Sequence, residues 1–208
     1  MKGLLLKDFI TMSKNSRTVF FIIAFFMFFG FALRGTTDLI QLMIVLLCST
    51  MVINSFSCDA AAKWDKYVLS LPVTRKDVVL SKYILALILT GIGTVISLLM
   101  STVFGIMNDS GDQTEILMKC YTLFAVSMIF LCLLLPLIFR FGVEKSRLFM
   151  LLVYIIPLII LIMLTESGVL QMSESIFLLI LKLSPLVLLA VFWASYQISC
   201  RIYRNMDV

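Results

Sequence analysis

The ionisable residues that could do chemistry in this sequence are few, and the longest well-charged stretch lies between Asp59 and Lys82. Histidine is absent, which excludes histidine general bases and histidine metal ligands. The five cysteines are scattered and form no CxxC pair, so we expect neither a zinc site nor a disulfide framework. There is no GxxxxGKS/T phosphate loop and no GxSxG nucleophile motif. The sequence therefore predicts a chain that is not an enzyme and holds no cofactor.

The charged stretch begins with a helical pattern that ends at a proline. Trp64, Tyr67, Val68 and Leu71 are spaced at i, i+3, i+4 and i+7, which predicts one apolar helix face. Pro72 ends this helix because it has no N–H and disfavours the helical region for the residue before it. The alternative is a plain charged loop between two membrane spans.

A second helix is predicted directly after the proline. Thr74 can cap its first turn, and Asp77, three residues later, completes a capping box at the positive end of the helix. Two helices would then meet at a rigid corner outside the membrane, on which another component could push. The second helix continues into the apolar run that starts at Tyr83.

The rest of the composition is that of a membrane protein. Of the 208 residues, 62% are hydrophobic and only 14% are charged, with a mean hydropathy of +1.10, whereas soluble domains carry about 25% charged residues. A membrane span needs about 20 apolar residues. Six runs are long enough, and they predict spans near residues 18–36, 38–58, 83–107, 117–139, 148–165 and 175–200.

Residues 1–15 predict an amphipathic helix in the membrane interface. Lys7 and Lys14 lie on the polar side, one heptad apart. The alternative is that this segment simply extends the first span. The apolar side consists of Met1, Leu4, Leu5, Phe9 and Met12.

The distribution of basic residues predicts the orientation. If both termini are cytoplasmic, the inner segments hold all 17 basic residues except Arg34, Lys119 and Lys182. This is a strong positive-inside bias. It places the segment 59–82 on the cytoplasmic side.

Polar residues inside the spans offer few candidates for a substrate pathway. Lys182 is the one lysine that lies well inside a predicted span rather than at its end, and Asn54 is a polar residue at depth. Lys182 can instead extend its ammonium group to the outer surface, and Asn54 can hydrogen-bond between helices. Both alternatives remain open.

Two stretches resemble a known family. The opening Met1–Asp8, MKGLLLKD, resembles the start of many ABC-2-type permease subunits of bacterial exporters. Lys63–Tyr67 (KWDKY), Ser70–Arg75 (SLPVTR) and Ser81–Tyr83 (SKY) resemble the first cytoplasmic loop of the same family. The short six-span form is similar to permeases that export phenol-soluble modulins and related amphipathic peptides.

The resemblance implies a transport mechanism. Two six-span subunits would form the pathway as a homo- or heterodimer, and separate ATPase subunits would bind ATP and Mg²⁺. The segment between spans 2 and 3 would supply a coupling helix to the ATPase. Its implied contact residues are Lys63, Trp64, Asp65, Tyr67, Leu71, Pro72, Thr74, Arg75, Lys76 and Asp77. Secondary contacts with the ATPase would come from Lys7, Lys14, Arg140 and Lys145.

The sequence thus predicts an all-α integral membrane protein with six transmembrane helices, an interfacial helix and a cytoplasmic coupling helix. The expected function is that of an exporter permease in the bacterial cytoplasmic membrane. Its expected partners are ATPase subunits, a second permease subunit, lipid and a hydrophobic or amphipathic substrate, with no nucleic acid. The alternative is a membrane immunity or sensor protein that binds a toxic peptide without transporting it.

Overall fold

The computed structural model of the chain describes residues 2–32, 37–68, 73–108, 113–166 and 174–204. For a number of residues within these ranges, Lys14, Asp65, Lys66, Arg147 and Lys182 among them, it describes the backbone alone. Every element within these ranges is helical, as the sequence predicts. The helices are α1 (Lys2–Ala32), α2 (Thr37–Ala61), α3 (Trp64–Val68), α4 (Arg75–Asn108), α5 (Gln113–Glu166) and α6 (Glu174–Arg204).

Four segments of the described chain are long and apolar enough to cross a membrane. They correspond to the predicted spans 2, 3, 4 and 6, and they make the chain a multi-pass integral membrane protein. Spans 1 and 5 stay predictions, because many side chains of residues 18–36 and 148–165 lie outside the description. The four segments are Leu39–Ala61, Arg75–Phe104, Ile116–Ser146 and Leu183–Arg204.

The chain divides into two compact units, and the boundary follows Ser127 within α5. In the first unit α1, α2 and α4 each contact the other two, and the contact between α2 and α4 is the most extensive. A cluster of Ile40, Ile44 and Met100, with Phe26 and Phe104 against it, fills the end of this unit where α2 begins. Burial of these apolar side chains stabilises the three-helix contact.

Helices α2 and α4 approach closely because α4 has a glycine at the contact. A Cβ atom on Gly93 would lie 2.9 Å from Cys48 Cβ and 3.3 Å from Val45 Cα. Small residues allow such close packing between membrane helices. Gly91, two residues earlier on α4, would meet nothing within 4 Å.

We therefore expect Gly93→Ala to lower the free energy of unfolding by about 1–3 kcal/mol through overpacking. Gly91→Ala is the matched control, and it is expected to be neutral or stabilising by up to about 1 kcal/mol because alanine favours the helix. The measurement is reversible unfolding of both variants in the same detergent. Equal effects of the two substitutions would contradict the close approach.

Helix α1 is continuous over Lys2–Ala32, with no break between the predicted interfacial segment and the first span. Its buried face differs from the predicted apolar stripe. Leu4, Asp8 and Met12, at i, i+4 and i+8, are buried, whereas Phe9 is 38% exposed. Two members of the stripe, Leu4 and Met12, therefore face the unit, and Asp8 lies between them on the buried side. Whether residues 2–15 lie in the membrane interface stays a prediction.

A glycine interrupts α5 where the sequence predicts a loop between spans 4 and 5. Gly142 has φ 77° and ψ 173°, a conformation that residues with a Cβ rarely adopt. The backbone is helical on both sides, so the interruption is confined to this one residue rather than to the eight residues from 140 to 147. Phe141 and Phe149 stack across it with ring centroids 5.0 Å apart.

In the second unit, α6 supplies a hydrogen bond that a proline removes from α5. Pro136 has no N–H, so the carbonyl of Cys132, four residues earlier, lacks its helical donor. Ser195 Oγ on α6 donates a hydrogen bond to this carbonyl at 2.5 Å. Phe139 and Tyr203 continue the contact between the two helices, with rings in edge-to-face geometry at 5.7 Å. The freed carbonyl is thereby satisfied by a neighbouring helix, as membrane interiors require.

A double-mutant cycle tests this assignment. We expect Ser195→Ala to cost about 0.5–2 kcal/mol, because it leaves a buried carbonyl without a donor. In a Pro136→Ala background the new backbone N–H can bond Cys132, so the same substitution should cost less. The measurement is the unfolding free energy of the four proteins in detergent. Additive effects would show that the serine does not compensate for the proline.

Candidate functional site

Four charged side chains meet at one end of the first unit, beside the segment between α2 and α4. We call Lys7, Asp8, Asp59 and Lys82 the ionic ring. Helix α1 begins at this end and supplies Lys7 and Asp8, α2 ends there with Asp59, and α4 begins there and supplies Lys82. The antiparallel course of the helices thus brings together residues that are 23 to 74 positions apart in the chain.

Lys82 is the most enclosed cation of the ring. Its Nζ donates to Asp8 Oδ1 at 2.9 Å, to Asp59 Oδ2 at 2.6 Å and to Ser55 Oγ at 2.6 Å. A lysine ammonium has three N–H donors, and these three contacts use all of them. The residue is 4% exposed, and its ammonium also lies 5.0 Å from the centroid of the Phe56 ring.

Lys7 closes the ring on its more open side. Its Nζ donates to Asp59 Oδ1 at 2.5 Å and lies 3.1 Å from Asp8 Oδ1. Each carboxylate therefore contacts both lysines. The Lys7 ammonium also lies 4.2 Å from the centroid of the Trp64 ring on α3. This cation–π contact joins the ring to the segment between α2 and α4.

The charges of the ring sum to zero, which reduces the cost of burying them. Asp8 is 1% exposed, so its negative charge depends on the two lysines for stabilisation. Charge-assisted hydrogen bonds of this length are about twice as strong as neutral ones. The arrangement joins α1, α2 and α4 through directional contacts and offers no unbalanced charge to a ligand. Among the described residues, no three Cys, Asp or Glu side chains converge as metal ligands would.

A tight turn leads from α2 into α3. The amide of Ala62 donates to the carbonyl of Cys58, and Lys63 follows in the left-handed conformation with φ 50°, a common way to end a helix. In the five residues of α3, Val68 is 2% exposed and Tyr67 is 66% exposed. Val68 thus packs inward and Trp64 lies against Lys7, while most of the Tyr67 side chain is exposed. The predicted single apolar face stays a prediction, because its fourth member, Leu71, lies outside the described residues.

The start of α4 has the predicted capping box. Asp77 N donates to Thr74 Oγ1 at 3.2 Å, and Thr74 N donates to Asp77 Oδ2 at 3.1 Å. The Thr74 hydroxyl also donates to the same carboxylate at 2.7 Å. The prediction of this cap is confirmed. Its part in coupling stays a prediction.

The other predicted site residues have different positions. In the first unit Asn54 and Arg75 are half-buried, and Lys63 and Lys76 are exposed. Leu71 and Pro72 lie outside the described residues, as do the side chains of Asp65, Lys14 and Lys182. In the second unit Arg140 and Lys145 are exposed on either side of Gly142, and the Arg140 guanidinium lies 5.4 Å from the Phe141 ring centroid.

The sequence matches the model of the family described as ABC-2 family transporter protein over residues 3–204. The match includes every residue of the ionic ring, α3 and the capping box. The chain belongs to the ABC-2 family of transporter proteins. As an ABC-2 family protein it is a membrane component of a transporter, and the family implies association with ABC ATPase components. No curated protein and no solved structure matches the chain.

Sequence reasoning missed the ring of this ABC-2 protein, although two of its four members, Asp8 and Lys82, carry a periodic signal. Asp8 lies between Leu4 and Met12 on the buried face of α1. Lys82 likewise lies between Val78 and Ala86, again four residues from each, on the buried face of α4. A charged residue inside an apolar i, i+4, i+8 series predicts a buried partner of opposite charge.

Proposed function

We propose that this ABC-2 protein is the permease subunit of an exporter, in which two such subunits form the pathway and separate ATPase subunits supply the energy. The proposal places the segment 59–82 on the cytoplasmic side as the ATPase contact. It also takes amphipathic peptides or other hydrophobic toxic compounds as the cargo. No ATP site is proposed in this chain, so ATP and Mg²⁺ are held by the partner.

The observation that supports the proposal is the combination of exposure and anchoring at α3. Tyr67 is exposed on a short helix that follows α2 after only two residues, and Trp64 of the same helix contacts the ionic ring. A partner that pushes on α3 would thus act on a segment attached to three packed helices. A flexible loop would absorb the same movement.

Exposed basic side chains near α3 support an acidic surface on the partner. Lys63 precedes α3 and Lys76 lies in the first turn of α4, and both are exposed. Such rim charges mainly set orientation and encounter rate. We assign the central contact to Tyr67, because aromatic residues frequently dominate the energy of an interface.

Transport by reconstituted vesicles tests the proposed function. The permease and its cognate ATPase are placed in vesicles with the ATPase outside, and a fluorescent amphipathic helical peptide is added. We expect ATP-dependent accumulation of the peptide in the lumen, and none with an ATPase that cannot hydrolyse ATP. Peptide binding without ATP-dependent movement would contradict the proposal and indicate the immunity or sensor alternative.

The proposed orientation rests on the positive-inside bias, and cysteine labelling tests it. In a chain whose five native cysteines are replaced, Asp112→Cys should react with an impermeant thiol reagent added outside cells, and Lys66→Cys should not. The reverse pattern would place α3 on the outer surface and exclude a cytoplasmic ATPase contact.

A further inference from the structure

We propose that Lys7 is the positioning residue through which movement of α3 reaches α1. This inference rests on the proposed function, since it assumes that a partner moves α3. Helix α3 is joined to α2 by a two-residue turn, so covalent geometry already couples these two elements. Helix α1 has no such link to α3. The contact of Lys7 with Trp64 supplies one.

The two lysines of the ring differ in a way that separates their roles. The three N–H donors of the Lys82 ammonium are used by Asp8, Asp59 and Ser55, so this group is fixed among side chains of α1 and α2. The Lys7 side chain is 23% exposed, and its ammonium contacts both carboxylates and the Trp64 ring. Among the described contacts, Lys7 is the member of the ring that touches α3.

The geometry gives a direct route for the movement. Displacement of α3 moves the Trp64 ring, and the Lys7 ammonium follows the ring or loses the cation–π contact. Because Lys7 shares Asp59 with Lys82, the displacement also changes the attraction that holds α1 against α2. Lys7 therefore gives α1 a direct contact with α3, whereas without Lys7 the movement would reach α1 only through α2.

Hydrogen exchange of the isolated chain tests the link. We expect Lys7→Gln to speed the exchange of amides in residues 60–68 by about 2- to 30-fold, the range that cation–π energies predict. Trp64→Leu removes the aromatic partner of the same contact and leaves all four residues of the ionic ring in place, so it should have a similar effect. Lys7→Arg keeps the charge and should stay within about 2-fold of the wild type. Lys76→Gln, an exposed lysine outside the ring, is the matched control and should change nothing.

The transmission itself is measured in the complex with the cognate ATPase. On addition of ATP, the wild-type chain should change its exchange both in residues 60–68 and in residues 2–12. In Lys7→Gln and Trp64→Leu the change in residues 60–68 should persist, and the change in residues 2–12 should be clearly smaller than in the wild type. Lys7→Arg should keep the wild-type change in both segments. A merely structural role of Lys7 would not separate the two segments.

Two outcomes overturn the inference in distinguishable ways. If residues 2–12 of both Lys7→Gln and Trp64→Leu respond to ATP as strongly as in the wild type, the movement reaches α1 by another route and the role of Lys7 is wrong. If residues 60–68 of the wild type do not respond to ATP, α3 is not the element that the ATPase moves. In that case the proposed coupling of the ATPase through α3 is wrong, and the proposed role of Lys7, which assumes this coupling, is wrong as well.

Discussion

Replacing Lys82 by methionine is expected to lower the free energy of unfolding by about 3–5 kcal/mol, the cost of removing one partner from a buried ion pair. The substitution leaves Asp8 and Asp59 with Lys7 as the only described cation in contact with them. Methionine fills much of the volume of the lysine stem, so the loss reports mainly on charge. The measurement is reversible unfolding in detergent.

Two further variants make this prediction specific. Asp8→Asn together with Lys82→Met restores a neutral cluster, and we expect the double variant to be more stable than Lys82→Met alone. Lys76→Met removes an exposed lysine of the same helix and should change stability by less than about 0.5 kcal/mol. A loss for Lys82→Met no larger than that for Lys76→Met would show that the ring does not hold the helices together.

Replacing Tyr67 by alanine is expected to weaken binding of the cognate ATPase by about 30- to 1000-fold, equivalent to about 2–4 kcal/mol. Tyr67 is 66% exposed on α3, so most of its side chain is open to a groove of a partner. The fold should be retained, because Val68 is buried and Trp64 contacts Lys7 in the variant as in the wild type. The measurement is the equilibrium affinity of the ATPase for the permease in nanodiscs.

The matched controls for this prediction are two other substitutions. Tyr67→Phe keeps the ring and should lose less than about 10-fold, since it removes only the hydroxyl group. Lys145→Ala changes an exposed basic residue of the second unit and tests the predicted secondary contact. If Tyr67→Ala binds the ATPase as tightly as the wild type and Lys145→Ala binds it much more weakly, the coupling contact lies in the region around Gly142 instead.

Local sequence patterns predicted the parts of the site that depend only on residues close to one another in the sequence. The capping box needs only Thr74 and Asp77, three positions apart, and its geometry follows from the start of a helix. The apolar runs likewise predicted the helices that can cross a membrane, because length and hydropathy are properties of one segment.

The ionic ring could not be predicted in the same way. Lys82 contacts Asp8 across 74 positions and Lys7 contacts Asp59 across 52, so the pairing depends on how three helices pack. The orientation of α1 depends on the same packing, since Asp8 can be buried only where Lys82 meets it. The hydrophobic pattern alone did not indicate that Asp8 shares the buried side of α1 with Leu4 and Met12.

Prolines and glycines gave partial predictions in the second unit. Pro136 indicates a freed carbonyl in α5, but the sequence does not say that Ser195 would satisfy it. Gly142 is one of nine glycines, and nothing local distinguishes it as the residue with positive φ that interrupts α5. In both cases the sequence indicates where the helix is weakened. It does not indicate which residue of another helix bonds the freed carbonyl, or which glycine adopts the positive φ.

Photo-crosslinking from position 67 tests the central claim, that a separate ATPase acts on this ABC-2 protein through α3. A photoreactive phenylalanine derivative is placed at position 67, or at position 99, where Leu99 is 57% exposed on the apolar length of α4. In vesicles that carry the assembled complex, we expect an adduct with the ATPase from position 67, altered in yield by ATP, and none from position 99. An ATPase that hydrolyses ATP in the complex but forms no adduct from position 67 would contradict the claim.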